Sequence, residues 1–473
     1  MTATLPPETE AHQAVAGYLA RARAAHAEFA TWSQERVDDA VAAVAWAIYQ
    51  PDRARRLAEL AVADTGLGRV QDKIAKNRRK TLGTLRDLTG ARSVGVIAEL
   101  PGSGITEWAK PVGVVLAVCP STNPAATPAN KAMMILKGGN AVIVSPSPKG
   151  AATCALLVEY IHAELDKVGA PRGLVQFIPQ PSKELTHELM RRCDMTVVTG
   201  SQNNVRAAYS SGRPAIGVGV GNAPVIVDAD ADIADAARKI KASKTFDYAT
   251  SCSSENSVHI HEGVYDETVQ ALRAEGGYLL TAQEKDRLGE AMWPGGGKLS
   301  GKVVAQPPER VAELAGLDSP RAREAEFFMV EEQGYGPDRP FSGEKLSVVL
   351  TVYRYTDLDS CLDRIQGILD FCGAGHSCGI HTRDDATARR VAERMRVARV
   401  LVNQAHCFGN GGAFDNGLEF TLTMGAGTWA GNSISENLSY RHFLNVTRLA
   451  RPIPPRVPTE QDLWGRYFDT YGR

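Results

Sequence analysis

Apolar and polar positions divide the chain into two textures. From residue 11 to 88, Ala, Arg, Glu and Leu dominate with few β-branched runs, which predicts helices, and 52–64 is amphipathic. At Lys110 the pattern changes. Residues 112–118 form an apolar run of strand length, and 120–128 is a turn-rich loop. A helix is predicted over 130–137, closed by Gly138-Gly139-Asn140. Residues 141–144 read as a second buried strand, 151–168 as a helix, and 175–178 and 195–199 as further strands. Strands alternating with helices predict a parallel sheet covered on both faces. Ligands bind such sheets beyond the carboxyl ends of the strands, so the loops after Val118, Val144 and Val198 are the places to inspect. A second α/β region spans 228–420, with strands expected at 258–261, 347–350 and 400–403. The tail, 451–473, has prolines at 452, 454, 455 and 458 and several aromatics; it reads as a packing arm or a flexible end.

At 473 residues the chain needs two or three domains. Hydrophobic residues at 44% and charged residues at 23% match a soluble globular protein. A formal net charge of −1 gives no field to draw in nucleic acid or an anionic membrane, so neither is expected as a partner. No apolar run of membrane-spanning length occurs, and residues 1–10 lack a secretory pattern. The eight cysteines are scattered without a Cys-x-x-Cys pair, so no metal site is expected and a reducing, cytoplasmic setting is. The densest basic run, Lys76-Asn77-Arg78-Arg79-Lys80, reads as a solvated helix face.

Cys252 stands among small polar residues, Thr250-Ser251-Cys252-Ser253-Ser254, just before a predicted strand. Such neighbours leave room for a substrate and for amides that face a developing oxyanion. Composition alone leaves this cysteine one of eight.

Seven segments in order carry a resemblance. They are Pro111-Val112-Gly113-Val114 with Pro120-Ser121-Thr122-Asn123-Pro124; Asn140-Ala141-Val142-Ile143-Val144-Ser145-Pro146; Val218-Gly219-Val220-Gly221-Asn222-Ala223-Pro224; the run around Cys252; Glu344-Lys345-Leu346-Ser347; Gly375-His376-Ser377; and Gly431-Asn432-Ser433-Ile434-Ser435-Glu436-Asn437. With them the chain resembles the CoA-acylating branch of the aldehyde dehydrogenase superfamily. The resemblance implies an α/β fold with a Rossmann-type cofactor domain, an α/β catalytic domain and a small oligomerisation arm. The expected divisions are 1–227, 228–420 and 421–473.

The resemblance also implies roles. Cys252 matches the nucleophile and Asn123 the oxyanion-hole amide. The general-base glutamate of hydrolytic members falls at Val218, which cannot take a proton from water, so the acyl group is expected to leave on CoA. His376 matches a histidine of the acylating branch that could assist the CoA thiol; a structural histidine is the alternative. Thr199-Gly200-Ser201 matches a pyrophosphate-contacting turn, or is an ordinary helix cap. Glu344 matches a ribose contact, and Ser145 stands where hydrolytic members bind ribose with a lysine. Ser121, Thr122 and Gly219 complete the cofactor candidates. Lys149 could neutralise a 2′-phosphate or be a solvated helix-start residue; the cofactor is expected to be NADP or NAD, with CoA as co-substrate. The tail resembles sulfoacetaldehyde-oxidising members; the alternatives are acetaldehyde or succinate semialdehyde as the substrate, or a hydrolytic aldehyde dehydrogenase, and a homodimer or homotetramer is implied.

Overall fold

The protein is described by a computed structural model covering residues 10–473. Residues 1–9, where no secretory pattern was expected, lie outside the described residues. Among the described residues no helix is long and apolar enough to cross a membrane.

The N-terminal region is helical, as its periodicity requires: Glu10–Phe29, Gln34–Tyr49, Pro51–Thr65 and Val70–Leu88. Local signals fix the boundaries. Ser33 accepts from the Arg36 N–H to cap the second helix, Pro51 opens the third, and Gly66 in the left-handed region ends it. The second helix buries Val37, Val41, Val44 and Ile48 against the first domain core, each contributing about 1.5–3 kcal/mol by leaving water.

A five-stranded parallel sheet follows in the order Val175–Phe177, Ala141–Ser145, Val114–Val118, Met195–Thr199, Ala215–Val218. Val114, Val115, Leu116 and Ala117 are completely buried, which explains their unbroken apolar run. The chain crosses from one side of Val114–Val118 to the other between the third strand in sequence, Val175–Phe177, and the fourth, Met195–Thr199. A cleft forms outside the carboxyl ends at that reversal.

A seven-stranded parallel sheet has the order Gly277–Leu279, Phe327–Glu331, Val349–Tyr355, Ser257–His261, Pro224–Val227, Cys378–His381, Val400–Val402. Pro224–Val227, which the sequence reading placed in the first division, pairs only within this sheet. A third sheet is antiparallel: Gly95–Leu100, Ile105–Pro111 and Leu444–Ala450. Leu444–Ala450 thus pairs with a strand that the sequence reading placed in the first division. Leu444–Ala450 is exposed on both faces, and the closing helix Glu460–Tyr471 leaves Leu463, Trp464, Tyr467 and Tyr471 open.

Candidate active site

Cys252 lies between the 3₁₀ turn Phe246–Ala249 and the strand Ser257–His261. Asp247, Tyr248 and Ala249 all have positive φ, at 52°, 51° and 58°. Non-glycine residues in that region cost about 1–3 kcal/mol each, so something must hold them. The helix Val70–Leu88 does. Asp247 accepts from the Arg69 N–H at 2.8 Å, from Lys73 Nζ at 3.1 Å and from Lys76 Nζ at 2.5 Å, and its own N–H donates to Asp72 at 2.8 Å. Burial pushes the Asp247 carboxyl up, but Lys76 and Lys73 outweigh it and hold it below its usual value.

This overturns the expectation that the run beginning at Lys76 is a solvated face. Lys76, Asn77 and Lys80 are buried and Arg79 partly so; only Arg78 is fully exposed. The reason is tertiary: Gly83, lacking a Cβ, lets the helix lie directly on the Phe420 ring. Lys76 uses its remaining donors on Asn123 Oδ1 at 2.8 Å and Thr250 Oγ1 at 2.9 Å. That contact fixes which end of the Asn123 amide is the acceptor and leaves Nδ2 facing the other way, with one long bond to Thr122 Oγ1. Asn123, Ser251 and Ser253 line one pocket, so the oxyanion candidate and the cysteine loop do come together.

His376 Nε2 lies 3.3 Å from Cys252 Sγ. Its Nδ1 meets Ser377 Oγ at 2.8 Å, and that hydroxyl meets His406 Nε2 at 2.8 Å. Arg399, which sequence reading missed, holds this unit: it donates to the His376 carbonyl at 2.9 Å and the Gly425 carbonyl at 2.6 Å. A Cβ on Gly221 would stand 2.7 Å from Cys252 Cβ and 3.0 Å from His376 Nε2, so only glycine fits beside the pair. The Gly221 N–H donates to Glu344 Oε1 at 3.1 Å.

Burial pushes the Cys252 thiol up to about 12, with the Glu344 carboxylate the next contributor; a hydrogen bond from Ser253 and the Arg399 charge oppose it. Burial likewise raises Glu344 to about 8, so its repulsion of the thiolate acts mainly in alkali. His376 is lowered far below its usual value by burial, then by Arg399 and His406, and is neutral at pH 7.

The cleft of the five-stranded sheet gathers Ser121, Ser145, Thr199, Gly200 and Ser201, five of the cofactor candidates. Ser201 caps the helix Gln202–Tyr209, Thr199 shares a hydrogen bond with Thr423 at 2.7 Å, and Ser145 with Thr186 at 3.0 Å. This wall of hydroxyls with a capped helix start has the donor chemistry a dinucleotide pyrophosphate requires.

The other candidates lie elsewhere. Lys149 is exposed on the turn Pro148–Gly150 and does not line the cleft; Lys183 and His187 do. Thr122 turns toward the cysteine side, its carbonyl accepting from Lys73 at 3.0 Å. Glu344 faces Gly221 rather than the cleft, and Gly219 lies against the Gln202 side chain. Val218 is buried at the end of its strand, with its carbonyl accepting from the Gly200 N–H.

Residues 3–286 match the aldehyde dehydrogenase family. Sulfoacetaldehyde dehydrogenase (acylating) of Cupriavidus necator is 56% identical, over 100% of this chain and 96% of that protein. Succinate-semialdehyde dehydrogenase (acetylating) of Clostridium kluyveri is 36% identical over 94% of this chain and 98% of that one. The crystal structure of an acetylating aldehyde dehydrogenase from Geobacillus thermoglucosidasius superposes with a TM-score of 0.91 at 34% identity, covering 95% of this chain and 99% of that chain. With a family match over more than half its length and relatives aligned along nearly all of it, the chain belongs to the aldehyde dehydrogenase family, in its CoA-acylating branch.

Proposed function

We propose that the protein oxidises sulfoacetaldehyde to its CoA thioester through an acyl group carried on Cys252. The single observation that carries the catalytic reading is the 3.3 Å contact between Cys252 Sγ and His376 Nε2, beside a pocket that holds Asn123. The substrate assignment draws on the whole-length likeness to the Cupriavidus necator enzyme.

Burial keeps a free thiolate–imidazolium pair from accumulating, so the thiol gives its proton to His376 Nε2 only as the bond from Cys252 Sγ to the aldehyde carbon forms. The carbonyl oxygen becomes an oxyanion opposite Asn123 Nδ2, which Lys76 has oriented. Ser121, Ser145, Thr199, Gly200 and Ser201 would hold a nicotinamide dinucleotide, which would supply the hydride acceptor. Loss of hydride from the thiohemiacetal leaves a thioester on Cys252, and the proton on His376 goes to solvent. CoA then gives its thiol proton to His376, its sulfur bonds to the acyl carbon, and Cys252 leaves as the thiolate and takes the proton back. The sum is aldehyde, CoA and oxidised dinucleotide giving acyl-CoA, reduced dinucleotide and one proton.

The cofactor is NAD or NADP; Lys183 and His187, which line the cleft, support the phosphorylated form. The exposed strand Leu444–Ala450 and the aromatic helix Glu460–Tyr471 support assembly with further copies of the chain. Eight unpaired cysteines are consistent with a reducing compartment such as the cytoplasm.

The test is a single-turnover assay. Without CoA, sulfoacetaldehyde should yield about one reduced dinucleotide per chain and then stop; CoA should restore steady turnover. Cys252→Ala should abolish both phases. Equal steady turnover with and without CoA would refute the acylating reading.

A further inference from the structure

The pocket beside Cys252 carries more positive charge than the chemistry above uses. Lys76 is committed: all three of its protons go to Asp247, Asn123 and Thr250. One turn further along the helix the situation differs. Lys80 is 7% exposed, lines the same pocket, and donates only to the Gly411 carbonyl, at 2.7 Å. Arg79 lines it too, donating only to the Phe408 carbonyl at 3.2 Å. Among the described residues neither forms an ion pair. Their other neighbours are aromatic: both cations lie over the Phe420 ring, each 5.4 Å from its centre.

A buried cation without a carboxylate is costly, because the solvation it loses is not replaced. Lys80 shows the strain: burial, then the Arg79 charge, lower its ammonium to about 7, with Lys76 adding to the shift and the Cys407 and Cys252 thiols opposing it. Among the described residues Asp415 is the only carboxylate acting on Arg79, and the two form no ion pair. Among the described residues nothing neutralises this end of the pocket, whereas Asp247 neutralises the other end.

We infer that Lys80, backed by Arg79, is the subsite that receives the anionic end of the aldehyde and sets the specificity of this pocket. The inference rests on the substrate reading above and deepens it. Its geometry suits a short substrate. In sulfoacetaldehyde the sulfur is two bonds from the carbonyl carbon, so the sulfonate must bind close to the nucleophile, in the recess that its neighbours Ser251 and Ser253 line. The flanks of Cys252, the Asn123 amide and Lys80 all border that single recess. A sulfonate there offers acceptors to the two Lys80 protons that have none, and brings the charge that the buried ammonium lacks.

The full-length enzyme is assayed with dinucleotide and CoA on sulfoacetaldehyde and on acetaldehyde, which has no anionic end. Lys80→Met should lower the ratio of the two kcat/KM values at least about 30-fold, mainly through KM for sulfoacetaldehyde; Arg79→Met should lower it about 5-fold. A ratio unchanged in both variants, or equal loss on both aldehydes, overturns the subsite and leaves Lys80 as a support for the Gly411 loop. A second measurement needs no variant. The unreactive 2-hydroxyethanesulfonate should inhibit acetaldehyde oxidation competitively in the wild type, and absence of competition overturns the subsite. The substrate reading fails separately: a wild type inactive on sulfoacetaldehyde refutes that reading, yet inhibition by 2-hydroxyethanesulfonate that Lys80→Met removes would still uphold the anion subsite.

Discussion

Two recesses flank the reacting centre, and they handle charge in opposite ways. The pocket on the Cys252 side takes its cations from the helix Val70–Leu88: Lys76 and Lys80 are each less than a tenth exposed, and Arg79 is partly buried. The cleft on the five-stranded sheet is walled by hydroxyls, and its basic residue Lys183 is exposed at the start of the helix Lys183–Arg192. Exposed charge is screened by salt and interacts weakly; buried charge is screened little and acts strongly on whatever enters. The pocket is thus built to discriminate among small aldehydes, while the cleft is built to hold a long ligand through many modest contacts. If that contrast is real, the two recesses should fail independently.

The most severe break comes at Asp247. Replacing it with alanine strands Lys73 and Lys76 without a counter-charge, a loss of about 3–5 kcal/mol for a broken buried pair. It also frees three left-handed residues ahead of Cys252 and removes the anchor that lets Lys76 orient Asn123. Asp247→Ala should cut kcat/KM for any aldehyde by about 10³-fold or more, since misplaced catalytic groups alone cost about 10²-fold. Dinucleotide affinity, followed by fluorescence titration, should change by less than about threefold. Parallel loss of both would show that the recesses are one unit and end the comparison.

A milder test lies on the cleft. Lys183→Ala should weaken binding of the 2′-phosphorylated dinucleotide about tenfold at low salt, and the difference should shrink at high ionic strength. Lys149→Ala should have little effect, because Lys149 does not line the cleft. The reverse pattern would return the phosphate contact to the residue that the sequence suggested.

How far the sequence carried depended on whether a signal was local. Strands such as Ala141–Ser145 and Met195–Thr199 were legible because both faces are buried and the apolar run is unbroken. The pairing of Leu444–Ala450 with Ile105–Pro111 was not, since those residues are more than 300 positions apart and no periodicity records a partner. At the site, Cys252, Asn123 and His376 became candidates through the resemblance, and the structure places His376 against Cys252 with Asn123 in the adjoining pocket. The lysines of Val70–Leu88 were misread for a physical reason: a basic run on a helix is solvated unless something covers it. The covering groups, Phe420, Gly411 and Asp247, come from distant parts of the chain. Gly83 was the one local hint, a glycine inside a helix, which often marks a close approach.

The smallest expected effect bears most directly on how the pocket discriminates. Only the protonated form of Lys80 attracts an anion, and in the free enzyme its ammonium is lowered to about 7 by burial and then by the Arg79 charge. Raising the pH from 7 to 8 should therefore drain charge from the subsite, and sulfoacetaldehyde should lose ground to acetaldehyde. The ratio of their kcat/KM values should fall about fivefold, the change in protonated fraction for a group titrating near 7. Taking the ratio cancels ionisations shared by both substrates: Cys252, His376, Glu344 and the CoA thiol. Arg79 stays charged throughout and keeps the fall from becoming complete. In Lys80→Met the ratio should be low and flat with pH. A ratio that rises with pH, or one that still falls in the variant, would assign the discrimination to another group and leave the two recesses alike in relying on screened, exposed charge.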